Sequence, residues 1–308
     1  MTGPSLSESE APKEVTEDEQ PPEMAAGRKS LLALICILAG AAPLLYGFLS
    51  NDIVRFTYTV VVAAAYLTFT LVARRTPSLQ GFWQLSSAFF VLAVVGVLNN
   101  LSHYFGTYVL NSPPVTGNPL ASTVTASVIV QLVETAAALI PIFVLTKAFG
   151  LPFGSIYART GRLRGWFVVA LVVFGLLLIF SATHASFFIA SKSPVTGSSF
   201  LAVLPALLIM VVSNGFQEEF LFRGLFLQKY NAFFGGRVSI LLTAIVFGIA
   251  HLGVSYAASS IIFVLVFAFP LGIATAFLMR RTDGVVTPAI FHAGFDVPIY
   301  LAFLSYVI

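Results

Sequence analysis

Apolar runs of about 20 residues recur along almost the whole chain, separated by short segments that carry most of its charges. A run of this length is what an α-helix needs to cross the hydrocarbon core of a bilayer. Only helices and closed barrels satisfy their backbone hydrogen bonds in lipid, and these runs are continuous rather than alternating. The sequence therefore predicts an all-α polytopic membrane protein.

The composition and the lengths of the runs agree with this prediction. Of the 308 residues 58% are hydrophobic and only 9% are charged, whereas a soluble domain averages about 25% charged residues. Nine spans are predicted, near residues 30–49, 56–73, 82–100, 123–146, 165–190, 200–228, 238–253, 256–279 and 285–307. A re-entrant hairpin in place of the short span at 238–253 is the alternative, so we expect about eight or nine transmembrane helices.

The basic residues predict the orientation of the chain. With the N-terminus placed in the cytoplasm, thirteen of the 16 Lys and Arg residues fall in cytoplasmic segments. Arg55 and Lys192 fall on the opposite side, and Arg223 falls inside a span. The positive-inside rule therefore predicts a cytoplasmic N-terminus. The basic excess is an orientation signal, and no nucleic-acid partner is expected.

The N-terminal segment and the single cysteine limit the remaining possibilities. Residues 1–29 are rich in acids and poor in apolar residues, which predicts a disordered cytoplasmic tail, with a regulatory or partner-binding tail as the alternative. The lone Cys36 excludes a disulfide within the chain and a cysteine-based metal site. We therefore predict a tail at 1–29, transmembrane helices at 30–197 and a functional domain at 198–308.

Ionisable residues inside the spans indicate where the chemistry lies. Such residues are expensive in a membrane and are functional candidates by default. Among the first five spans only Glu134 lies well inside, and with Gln131 it is expected to make a contact between helices. The last four spans hold the larger set, which consists of Glu218, Glu219, Arg223, His251, His292 and Asp296.

The spacing of two adjacent acids predicts different roles for them. Neighbours on a helix point about 100° apart. Glu219 and Arg223 are four positions apart with the acid first, which is the favourable order for an ion pair. Glu218 has no such partner on its own helix, which suits a general base.

The depths of the polar residues predict one shared pocket. From a rise of about 1.5 Å per residue, Glu218 and His292 should lie roughly 15 Å and 12 Å from the cytoplasmic ends of their spans. His251 should lie slightly deeper, at roughly 20 Å. His292 and Asp296 are four positions apart and share a helix face. Three helices can therefore bring these groups to a water-accessible pocket below the cytoplasmic surface.

Three motifs, each on its own span, resemble the signature of a known family. They are Glu-Glu-x-x-x-Arg at Glu218, Glu219 and Arg223, Phe-x-x-x-His at Phe247 and His251, and His-x-x-x-Asp at His292 and Asp296. This order resembles the CaaX-protease and bacteriocin-processing (CPBP, or Abi) family, which includes the type II CaaX prenyl endopeptidase. The resemblance covers about residues 198–308.

The resemblance implies an intramembrane endopeptidase that depends on glutamate and histidine. Glu218 would be the general base, and His251 would bind and activate the attacking water. His292 and Asp296 would stabilise the oxyanion or orient the water, while Glu219 and Arg223 hold the site together. The family is usually labelled metalloprotease, and two histidines plus a carboxylate are a legitimate ligand set for a divalent metal such as zinc. A metal is therefore possible at His251, His292, Glu218 and Asp296. A metal-free glutamate mechanism is the alternative.

One departure from the family pattern bears on the substrate. The prenyl endopeptidases typically have Asn where this chain has Asp296. An Asn amide can donate to an oxyanion but an ionised Asp cannot, so Asp296 must be protonated, orient His292 or bind a metal. The expected substrates are CaaX-like, lipidated or small secreted peptides, or membrane proteins.

Two other functions are compatible with parts of the sequence. One is a non-enzymatic scaffold or bacteriocin-immunity-type protein of the same family, although the chain retains every catalytic position of the motifs. The other is a transporter, which the clustered acids would suit. We find no internal repeat of the kind that many transporters show, so proteolysis is the favoured prediction.

Overall fold

The computed structural model describes residues 25–184, 197–254 and 259–308, and the regular elements within these ranges are helices joined by turns and irregular connections. In them the chain forms nine helices: α1 (Ala26–Phe48), α2 (Asp52–Arg75), α3 (Pro77–Val109), α4 (Val124–Ala148), α5 (Trp166–His184), α6 (Gly197–Gly224), α7 (Leu227–Ala250), α8 (Ser260–Thr282) and α9 (Val286–Leu304). Eight of them are long and apolar enough to cross a membrane, and α5 contributes a shorter apolar stretch over Trp166–Ala182. The prediction of an all-α polytopic membrane protein is confirmed.

Most helix boundaries lie within a few residues of the predicted spans, but α3 continues to Val109, beyond the predicted end at 100, and α7 begins at Leu227, before the predicted start at 238. The predicted fifth span, 165–190, is described only as far as His184. Of the predicted tail, residues 1–24 lie outside the described residues, and α1 begins at Ala26, so the last residues of the tail are already helical. The predicted division into domains stays a prediction.

The α-helical backbone of α7 is interrupted near its N-terminal end. Gly235 has φ 73° and ψ 171°, a backbone conformation that residues with a side chain rarely adopt. The break separates residues 227–234 from the longer piece that follows. The predicted short span, which begins at residue 238, lies within this longer piece.

Helix α9 lies at the centre of the functional half. In its most apolar stretch 72% of the residues are buried, against 17–56% in the other seven long helices of the described ranges. It contacts α5, α6 and α8, while α4 joins α6 to α3. Apolar side chains of α6 such as Leu207 and Met210 pack against Val297 and Leu301 of α9.

Small residues allow α6 and α9 to approach closely. A Cβ atom placed on Gly215 would lie 2.5 Å from the carbonyl oxygen of Ala289 and 3.2 Å from the backbone nitrogen of Ala293. Association of helices in lipid depends on such close packing, because lipid tails are as apolar as the side chains they replace. This contact lies one turn before Glu218 and sets the distance between the two helices that carry most of the candidate site.

Candidate active site

The two adjacent carboxylates lie where α6 changes its winding. The α-helical part ends at Glu218, and Glu219–Gly224 form a π-helical turn. Such turns are rare inside α-helices and are frequent at functional sites. The side chain of Glu219 is fully buried, whereas that of Glu218 is 19% exposed. The predicted difference between the two acids is present in the structure.

Glu219 and Arg223 form the predicted ion pair. Their Oε1 and Nη1 atoms are 3.1 Å apart, and neither side chain is exposed. The guanidinium carbon of Arg223 lies 4.0 Å from the centre of the Phe247 ring, a distance at which a cation is attracted to an aromatic face. Gly272 of α8 leaves room for this guanidinium, since a Cβ there would lie 3.2 Å from Nη2.

His292 connects the buried ion pair to the more exposed acid. Its Nδ1 donates to Oε1 of Glu219 at 2.7 Å, which fixes the orientation of the ring. The other ring nitrogen, Nε2, lies 3.4 Å from Oε2 of Glu218 and 3.7 Å from Oδ1 of Asp296. The ring is almost completely buried. Its Nε2 faces the carboxylates of Glu218 and Asp296.

His251 approaches the same carboxylate from the end of α7. Its Nδ1 donates to the backbone carbonyl of Phe247 at 2.8 Å. Its Nε2 therefore faces Oε2 of Glu218, at 4.0 Å. The Phe247 ring lies 4.5 Å from the His251 ring and 5.6 Å from the His292 ring between centres. Phe247 thus supports both histidines as well as Arg223.

Asp296 has a partner that the motifs did not reveal. Asn214 Nδ2 donates to Oδ2 of Asp296 at 3.0 Å, and both residues are buried. Asn214 lies four positions before Glu218 and therefore on the same face of α6. The separation of four residues from Glu218 was the only sequence signal that Asn214 belongs to the site. It could not show that Asp296 of α9 would be the hydrogen-bond partner of Asn214.

A cavity of about 80 Å³ adjoins these groups. Its polar wall contains His251, His292 and Asp296, and the rest of its lining is apolar and largely aromatic. The apolar lining comes from α5, α7, α8 and α9 and consists of Leu177, Phe247, Phe263, Phe267, Ala268, Leu271, Phe295, Pro298 and Ile299. The arrangement gives a polar, titratable corner in an otherwise apolar chamber.

The four predicted catalytic residues are thus brought together, and each supporting residue contacts at least one of them or their partners. Oε2 of Glu218 is inaccessible and makes no hydrogen bond with any described residue, although two histidine nitrogens lie within 4.0 Å of it. In the three described ranges no group of three or more His, Cys, Asp or Glu side chains has the arrangement of a metal site. The residues as placed do not form a ready ligand set, and the possible metal site at His251, His292, Glu218 and Asp296 stays a prediction beside the metal-free alternative.

The comparisons with known proteins agree with the geometry. Residues 199–298 match the family model described as type II CAAX prenyl endopeptidase Rce1-like, and this stretch contains all three motifs. Neither the curated proteins nor the solved structures give a match. The family is one of membrane proteases, as the resemblance implied. Residues 199–298 of this integral multi-pass membrane protein are therefore a domain of the type II CAAX prenyl endopeptidase (Rce1-like) family.

Proposed function

We propose that the chain is an intramembrane endopeptidase in which Glu218 activates the attacking water. The observation that carries the proposal is the convergence of both histidine Nε2 atoms on Oε2 of Glu218, at 3.4 Å and 4.0 Å. A water molecule held by Glu218 and His251 would stand at the polar corner of the apolar cavity. Oε2 of Glu218, which has no hydrogen-bond partner among the described residues, is suited to accept its proton.

The reaction would proceed in two proton transfers. Glu218 takes a proton from the water as the water oxygen bonds to the carbonyl carbon of the peptide. The carbonyl oxygen becomes negatively charged and accepts a hydrogen bond from Nε2 of a protonated His292. Glu218 then gives its proton to the nitrogen as the C–N bond breaks, which leaves a new carboxyl terminus and a new amino terminus.

The cavity suits a substrate with an apolar or lipidated segment next to the cleaved bond. Its apolar and aromatic lining comes mostly from α8 and α9. CaaX-like, lipidated or small secreted peptides all fit that description. The predicted orientation places cleavage near the cytoplasmic face.

Replacing Glu218 with glutamine should abolish cleavage while preserving the shape of the side chain. Loss of a general base typically costs about 10²–10⁴-fold in rate. The measurement compares new peptide termini in membranes from cells that contain wild-type protein or Glu218→Gln at equal levels. Termini that appear only with the wild type would identify the substrate as well.

One further arm tests whether a metal takes part. In it, active wild-type membranes are treated with a chelator and zinc is then added back, which distinguishes a metal-dependent mechanism from a metal-free one. Identical peptide termini in wild-type and Glu218→Gln membranes would contradict the proposed peptidase and favour the scaffold or immunity-type protein.

Asp296→Asn should keep cleavage within about tenfold of the wild type, whereas Asp296→Leu should lose it. An asparagine can still accept the hydrogen bond from Asn214 and can donate toward the reacting oxygen. The same peptide termini, quantified over time, provide the measurement. A loss in Asp296→Asn as large as that in Asp296→Leu would show that the negative charge itself is needed.

A further inference from the structure

A polar network from outside the three motifs meets the residue that precedes Glu218. Oε1 of Gln217 accepts hydrogen bonds from Nε2 of Gln131 at 3.2 Å and from the Thr135 hydroxyl at 3.0 Å. The Tyr300 hydroxyl donates to Oε1 of Gln131 at 2.7 Å. The network therefore joins α4 to both α6 and α9.

The amide of Gln131 is the central member of this network. Its oxygen is bonded to α9 and its nitrogen to α6, and only 1% of the residue is exposed. Gln217 and Tyr300 are each 7% exposed. Buried polar groups are costly unless they are paired, so a shift of α4 against either helix would break at least one of these buried hydrogen bonds.

The two contacts lie next to the candidate catalytic groups. Gln217 immediately precedes Glu218, and Tyr300 lies one helical turn after Asp296. Gln131 and Tyr300 both fall outside the matched residues 199–298. The network is thus a feature of the whole chain rather than of the matched domain alone.

We propose that Gln131 is a positioning residue, which holds Glu218 at its place relative to His292 through Gln217 and Tyr300. The inference rests on the proposed function of Glu218. It gives the N-terminal helices a definite part in the enzyme, because α4 sets the relative position of the two helices that carry Glu218 and His292.

The first test replaces Gln131 with methionine, which is similar in length and lacks both hydrogen-bonding groups. Cleavage dependent on Glu218 should fall about tenfold, since small displacements of a catalytic group have large effects on rate. The rate at which dicyclohexylcarbodiimide labels Glu218 should also change by at least about threefold, because the carboxyl is displaced. The amount of folded protein should stay the same.

Ser127→Ala is the matched control on the same helix. The Ser127 hydroxyl accepts a hydrogen bond from Asn118 at 3.1 Å, in the connection before α4, and takes no part in the network of Gln131. This variant should cleave and label as the wild type does. An equal effect in both variants would assign the loss to a general loosening of α4 and would overturn the proposal.

A double-mutant cycle tests whether Gln131 acts through Gln217. If it does, Gln131→Met combined with Gln217→Met should lose no more activity than the more impaired single variant. Losses that multiply, or wild-type labelling and cleavage in Gln131→Met, would overturn the proposal.

A conservative variant supplies a readout that simple packing would not produce. A protonated carboxyl at this position has one donor and one acceptor, as the amide network requires, and an ionised one has only acceptors. The activity of Gln131→Glu relative to the wild type should therefore be highest at low pH and fall as the pH rises. A ratio independent of pH contradicts the inference.

The two proposals fail in different ways. Cleavage that survives in Glu218→Gln contradicts the proposed function, while carbodiimide labelling of Glu218 still reports whether Gln131 positions it. Unchanged labelling in Gln131→Met, with cleavage still dependent on Glu218, contradicts the positioning role alone.

Discussion

Arg223→Met should leave little folded protein in the membrane. Arg223 and Glu219 are both fully buried and 3.1 Å apart, so the variant would remove the guanidinium of a buried ion pair and leave His292 as the remaining partner of the Glu219 carboxylate. Removing one partner of a buried pair typically costs about 3–5 kcal/mol of folding free energy. Thermal unfolding in mild detergent, together with the amount of protein recovered from membranes, measures the loss.

Neutralising both partners should restore most of the fold. In Glu219→Gln combined with Arg223→Met the amide oxygen can still accept the hydrogen bond from His292, and no unpaired charge remains. Arg75→Met, which removes an exposed arginine, is the matched control and should unfold as the wild type does. A double variant no more stable than Arg223→Met would show that the pair contributes something beyond mutual neutralisation.

Gly215→Ala should move the acids of α6, Glu218 and Glu219, away from His292 on α9. The added methyl would lie 2.5 Å from the carbonyl oxygen of Ala289, so α6 and α9 must move apart. The hydrogen bond between Glu219 and His292 depends on this approach. A misplacement near 1 Å can reduce the rate by about 10²-fold, and overpacking typically costs about 1–3 kcal/mol. Cleavage rate and thermal unfolding are the measurements.

Gly175→Ala provides the corresponding control in α5. A Cβ placed there has no neighbour within 4 Å, and alanine is favoured over glycine in a helix by up to about 1 kcal/mol. Stability should be unchanged or slightly higher, and cleavage should be unaffected. If Gly215→Ala behaves in the same way, the close approach of α6 and α9 does not control the site.

The sequence was sufficient for the features that depend on spacing within one helix. The pairing of Glu219 with Arg223 and the shared face of His292 and Asp296 follow from separations of four residues. The apolar runs located the spans because their length is set by the bilayer. The predicted start of the seventh span at residue 238 lies just after the backbone break at Gly235.

Contacts between distant segments could not be obtained in the same way. Asn214 bonds to a residue 82 positions away, and Gln131 to residues 86 and 169 positions away. No periodicity specifies which buried amide meets which partner, because that depends on how the helices are arranged. Gln131 was predicted to make a contact between helices, but its direction toward α6 and α9 required the structure.

The deep burial of α9 has a consequence for synthesis of the protein. This helix supplies His292 and Asp296, and it emerges from the ribosome after the helices that carry Glu218 and His251. A partly inserted chain therefore presents an acid and one histidine in lipid without the groups proposed to complete the active site. On the proposed mechanism, peptidase activity would arise only when α9 enters between α5, α6 and α8 and completes the site.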